Sequence, residues 1–108
     1  MNLSKNLPLT ETTFYILLAL RKAGHGYAAM QEVEQLSGGK VRIAAGTMYG
    51  ALENLTKQKL IISVPSEDAR RKMYQISAAG REVLALEVAR LKHLIEVYQH
   101  TELEGIER

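Results

Sequence analysis

The chain has 108 residues, 46% apolar, 24% charged and without cysteine, which predicts one globular domain and excludes a disordered segment, a disulfide framework and a thiolate metal site. Met1-Asn-Leu-Ser-Lys has no apolar signal core and no apolar run nears the roughly 18 residues of a membrane span, so a cytoplasmic protein with no membrane partner is expected. The net charge of +2 is unevenly placed: residues 1–81 hold 11 Lys/Arg against 6 Asp/Glu, residues 82–108 hold 3 against 6, and the basic part is the one suited to nucleic acid.

The first helix opens on Thr10 as N-cap, with Glu11 in its first turn and a Leu9 to Phe14 staple. Phe14, Ile16, Leu17 and Leu20 give its apolar face, and its end is expected at Arg21 and Lys22 with Gly24 in the left-handed position. Tyr27, Met30, Val33 and Leu36 repeat the pattern in a second helix, with Tyr27 read as core, until Ser37-Gly38-Gly39 stops it. An extended stretch from Lys40 to Ile43 leads into a third helix over Gly46 to Lys57. There Met48, Leu52 and Leu55 form one apolar seam, and Thr47, Gly50, Ala51, Asn54 and Lys57 form a bare opposite face, small or neutral and hydrogen-bonding except for the cation Lys57.

Two strands follow. Leu60, Ile62 and Val64 alternate until Pro65, and Met73 to Ile76 return, with Ser66-Glu-Asp-Ala-Arg-Arg-Lys as the tip. A helix-turn-helix followed by such a hairpin is a winged helix. A last helix, capped by Ser77, carries Leu84, Val88, Leu91, Ile95 and Tyr98 at spacings of 4, 3, 4 and 3, a coiled-coil seam. Val83, Leu86, Leu94 and Val97 make a second stripe, so one stripe is read as packing on the chain's own body and the other on a second copy; the alternative is that both fold back on one domain. The expected fold class is mainly α with a small β-hairpin: a winged helix-turn-helix DNA-binding domain over residues 1–79 and a C-terminal dimerisation helix and tail over 80–108.

A bare helix face lets the axis approach a DNA groove, which makes Thr47, Asn54 and Lys57 contact candidates. Tyr49, one residue off the seam, suits either a phosphate or packing, and Arg70, Arg71 and Lys72 at the tip suit phosphates or the minor groove. Catalysis finds little support: His25, His93 and His100 are the only histidines, none sits in a recurring metal-ligand spacing, and neither a Gly-rich phosphate loop nor a nucleophile elbow occurs, so no cofactor is implied. The rival reading is a winged-helix protein-interaction module. That would give a wing and third helix dominated by acids or large exposed apolar groups, and neither pattern appears, so DNA binding is favoured.

Leu9-Thr-Glu-Thr-Thr-Phe-Tyr-Ile-Leu-Leu-Ala-Leu, Gly26-Tyr, Gly46-Thr-Met-Tyr-Gly-Ala-Leu-Glu-Asn-Leu and Arg70-Arg-Lys-Met-Tyr-Gln-Ile-Ser-Ala-Ala-Gly, in that order, resemble the PadR family of bacterial transcriptional regulators over residues 8–100. The short C-terminal region looks like the smaller subfamily with one long dimerisation helix. The resemblance implies a homodimeric winged-helix repressor of a neighbouring gene, bound to double-stranded operator DNA and released by a small effector, with the Tyr49 hydroxyl on a phosphate. Flat aromatic compounds can lodge between the dimer helices of the family, which makes Tyr15, Val88, Leu91, Ile95 and Tyr98 the candidates to line such a site; a seam filled with Leu and Ile can equally be closed. Two residues depart from the family pattern: Met48 where Leu is common and Lys59 where Gly is common. If the backbone at Lys59 needs a positive φ, Lys is strained there; if not, it is one more cation near DNA.

Overall fold

The computed structural model describes residues 2–68 and 70–106. Ala69 of the expected wing tip and residues 107–108 of the expected tail lie outside them. A 3-10 helix, Leu3–Asn6, leads into α1 (Glu11–Ala19), β1 (Gly24–His25), α2 (Gly26–Leu36), α3 (Ala45–Lys57), β2 (Ile61–Val64), β3 (Met73–Ile76) and α4 (Ala78–Ile106). The architecture is a winged helix with a long C-terminal helix. Its sheet has three antiparallel strands in the order β1-β3-β2 rather than the two of a hairpin alone.

Thr10 caps α1 as expected: its Oγ1 accepts the Thr13 N–H at 3.0 Å. The far end differs. α1 stops at Ala19, and the Leu20 carbonyl is taken by the Ile76 N–H at 2.8 Å, so the sheet ends the helix before Arg21 and Lys22. Gly24 is not left-handed; it opens β1, opposite Tyr74.

α2 stops where Ser37-Gly38-Gly39 predicts. Gly38 and Gly39 take φ of +63° and +81°, and their N–H groups return to the carbonyls of Gln35 and Glu34. The Ser37 Oγ then accepts the Val41 N–H at 2.9 Å, turning the chain so that Val41 and Ile43 enter the core. α3 buries its seam completely, with Met48, Leu52 and Leu55 at 0%, 0% and 3% exposure.

α3 ends in the same motif as α2 but with Lys59 at the left-handed position, φ +63°. The Lys59 N–H reaches the Thr56 carbonyl and the Leu60 N–H the Leu55 carbonyl, both at 3.0 Å. A side chain in this conformation costs about 1–2 kcal/mol, so the first of the two alternatives for Lys59 holds. Because Leu60 completes the helix end, β2 begins only at Ile61, and the expected alternation is displaced by one residue. Ile61, opposite Ile76, is 1% exposed, whereas Ile62, expected in the core, is 47% exposed.

Ser77 caps α4 by accepting the Gly80 N–H at 3.0 Å, and its hydroxyl donates to the Lys59 carbonyl at 2.7 Å, joining two elements at one residue. Gly80 lies so close to the residue that precedes β2 that a Cβ there would stand 2.2 Å from the Leu60 carbonyl oxygen. Val83 and Leu84 complete the core with Ile16, Leu17, Leu20 and Val33. Leu84, expected in the intermolecular seam, is therefore part of its own protomer. From Leu86 onward both stripes of α4 are exposed, and the 29-residue helix, about 43 Å long, gives the molecule a longest dimension of 63 Å.

Candidate nucleic-acid interface

α3 sits with its apolar seam on the body and its other side in solvent, flanked by the wing. Between α3 and the wing runs an open groove of about 700 Å³, lined by Tyr49, Glu53 and Lys57 on one side and Arg70, Arg71 and Lys72 on the other. The wing cations expected from sequence and two of the expected α3 residues thus share one concave surface. Asn54 does not: it faces a smaller depression with Thr10, Thr13 and Gln58, on the α1 side of the helix. Thr47 is exposed in the first turn of α3 and lines neither. Ala51, expected on the bare face, is half-buried against the core.

The wing is tied to the rest of the domain near this groove. β1 pairs His25 with Met73, and the His25 Nδ1–H donates to the Lys72 carbonyl at 3.0 Å, a carbonyl being able only to accept. At the tip, the Asp68 carboxylate accepts the Arg70 N–H at 3.0 Å and its carbonyl the Arg71 N–H at 3.0 Å, so this acid shapes the turn while its charge stays beside the cations. Tyr49 packs on one side and is open on the other: its ring lies where a Cβ on Gly26 would come within 2.9 Å, and over half of the residue is exposed. Tyr27, expected in the core, is exposed beside it in the same groove, because the start of α2 faces the wing.

Gly46 and Gly50 have open space where a Cβ would stand, with nothing of the chain within 4 Å. A helical glycine costs roughly 1 kcal/mol relative to alanine, and here no internal contact requires it.

The effector candidates divide. Tyr15 and Leu91 line a cavity of about 330 Å³ with Leu9, Phe14, Glu87 and Arg90, where α4 crosses the start of α1. Val88, Ile95 and Tyr98 are exposed on α4 and do not line it. Glu87, an acid between the apolar stripes of α4 that periodicity alone does not single out, is buried at 2% exposure. It accepts the Leu9 N–H at 2.8 Å and an Arg90 guanidinium N–H at 3.0 Å. The bond to Arg90 holds its carboxyl below the usual range against the opposite push of burial, with the Leu9 N–H adding to the effect. Apolar periodicity does not single out Glu53 either, although its place one turn from both Tyr49 and Lys57 is a helical spacing; His25 left no signal, since its partner lies 47 residues away.

The profile of the Transcriptional regulator PadR-like family matches residues 16–86. The chain belongs to this family. Its members are transcriptional regulators rather than enzymes, and the fold agrees: a PadR family transcriptional regulator from Eggerthella lenta is similar at 27% identity and a TM-score of 0.65, covering 86% of this chain and 81% of that one. Bordetella bronchiseptica BpsR, whose DNA binding is regulated by 6-hydroxynicotinic acid, shares the fold at 20% identity and a TM-score of 0.65, covering 85% of this chain and 62% of that one. In sequence, 70 residues are 36% identical to an uncharacterised 37.1 kDa protein in transposon TN4556 of Streptomyces fradiae; the match takes in 65% of this chain but only 19% of that protein's length. Among the described residues of this PadR-like regulator, no helix is long and apolar enough to cross a membrane.

Proposed function

We propose that this PadR-like protein is a homodimeric repressor that places α3 in the major groove of double-stranded operator DNA and rests its wings on the flanking backbone, in the cytoplasm. The observation that carries this reading is the bare outer face of α3. Gly46 and Gly50 each weaken a helix whose own chain leaves the space above them empty, so their advantage lies in letting something outside approach the helix closely. The cations of the adjoining groove, Lys57, Arg70, Arg71 and Lys72, match a phosphate backbone. In this reading Thr47 and Asn54 meet base edges, and Tyr49 and Lys57 hold the register on phosphates.

The dimer is supported by α4. A helical extension of this length is marginal in water by itself, and residues 91–105 are all exposed while carrying Leu91, Leu94, Ile95, Val97, Tyr98 and Leu103. Covering them with the same face of a second copy stabilises both helices and sets two α3 helices at a fixed separation, as half-sites require. An effector fits the cavity between Tyr15 and Leu91, where a small apolar or aromatic molecule would change the angle at which α4 leaves the body. Regulation of BpsR by 6-hydroxynicotinic acid supports such control in this fold.

A gel-shift with duplex DNA from the region upstream of the protein's own coding sequence tests the reading. The parent should retard it in preference to a scrambled duplex. The double variant Arg70→Ala, Arg71→Ala should lose affinity for both duplexes, its log affinity against log salt flattening by about 0.9 for each lost phosphate contact. Equal retardation of the two duplexes, or an unchanged slope in the variant, contradicts it.

A further inference from the structure

Tyr49, Glu53 and Lys57 stand one turn apart on α3 and line the groove toward the wing, where Glu53 is the sole carboxylate among the described residues. Its side chain is 74% exposed, with Oε1 3.6 Å from the Lys57 Nζ. An exposed pair of this kind changes helix population by only about twofold, too little to keep either partner from exchanging it for a better one. Gly50, three residues before Glu53, leaves no side chain between the helix and an approaching groove. A carboxylate in this position repels phosphates and weakens attachment to DNA in general. It gains only from a donor, and on the major-groove edge its matching donor is the N4 amino group of cytosine.

Resting on the DNA-binding reading above, we propose that Glu53 is a specificity-determining residue: it accepts a hydrogen bond from one cytosine in each half-site and repels duplexes that do not offer it. On such a duplex Lys57 is released to a phosphate. The neutral side chain of Glu53→Gln keeps the shape and the helix while losing the repulsion, and an amide pairs with the N6 and N7 positions of adenine instead.

The test takes a duplex selected from a random pool by the parent protein and replaces each of its C·G pairs in turn by A·T. With an unchanged melting curve, Glu53→Gln should bind random duplex severalfold tighter at low salt. At one pair per half-site it should lose about tenfold in discrimination or reverse it toward adenine, and elsewhere discriminate as the parent does. If the parent discriminates among the duplexes and Glu53→Gln matches it at every pair and on random DNA, Glu53 serves only the helix and the proposal is overturned. If the parent itself discriminates among none, the DNA-binding reading falls, and this proposal with it.

Discussion

α3 and the outer half of α4 carry the same kind of signal, apolar residues at helical spacing, and end in opposite circumstances. On α3 the seam of Met48, Leu52 and Leu55 vanishes into the body; on α4, Leu91 is 38% and Ile95 54% exposed. Periodicity states that a face is to be covered, and it leaves open by what. The boundary is sharp: Val83 and Leu84 are core, Glu87 is the last buried side chain among the described residues, Leu91 still borders the cavity against α1, and beyond it α4 is exposed.

Truncation on the two helices separates the cases most widely. Leu52→Ala leaves a cavity in a closed core and should cost about 2–5 kcal/mol at any protein concentration. Ile95→Ala should leave the melting of the body alone and weaken only what depends on concentration. Thermal melts at two concentrations a hundredfold apart check both, and a concentration-independent loss of similar size in Ile95→Ala would place the outer half of α4 in the protomer's own stability.

Charge at the exposed stripe acts on assembly. Leu91→Glu puts an unpaired ion where the second copy is expected, at a cost of several kcal/mol, and should yield monomer in sedimentation at micromolar concentration. A variant that stays dimeric moves the interface elsewhere.

Lys59→Gly bears on the other end of the comparison, the well-fitted body, which contains one misfit. Relieving the left-handed lysine should stabilise the fold by about 1 kcal/mol in chemical denaturation, less than the full strain because glycine also gains freedom in the unfolded chain. No gain at all would mean that the lysine side chain compensates locally.

Glu87, at the junction, gives the smallest effect. Its carboxyl is held below the ordinary glutamate range, so its contribution is fully present above that range and is lost as pH falls from there through the lower folded value. Glu87→Gln should remove this acid-side slope from a stability-against-pH curve; an unaltered slope would assign the acid loss to other carboxylates.

The helices and most of their caps were legible because each rests on local chemistry: Thr10, Ser77, Ser37-Gly38-Gly39 and the α3 seam act within a few residues of chain, whereas the end of α1 is set by the distant Ile76 N–H on the Leu20 carbonyl and was not. β3 was legible in the same way, from Met73 to Ile76. β2 slipped by one because Leu60 is taken up in a helix-ending hydrogen bond, and a period of two turns one residue of offset into the opposite face. β1 has two residues, too few for any period, and exists only through β3. The candidate interface was half legible. The cations and glycines stand out in the sequence, but that Asn54 lies on the α1 side of the helix, outside the groove with the wing, does not, and Glu53 and His25 enter the groove only once α3, β1 and the wing are placed together.

The central claim, that the outer face of α3 is kept bare for DNA, meets its most direct test in Gly50→Leu. Replacing a helical glycine above which the chain leaves open space should stabilise the free protein by about 0.5–1 kcal/mol and raise its melting temperature by a few degrees. The same side chain would stand where the groove approaches, so affinity for the selected duplex, measured by fluorescence anisotropy, should fall tenfold or more. A variant that is more stable and binds that duplex as tightly as the parent would contradict the account.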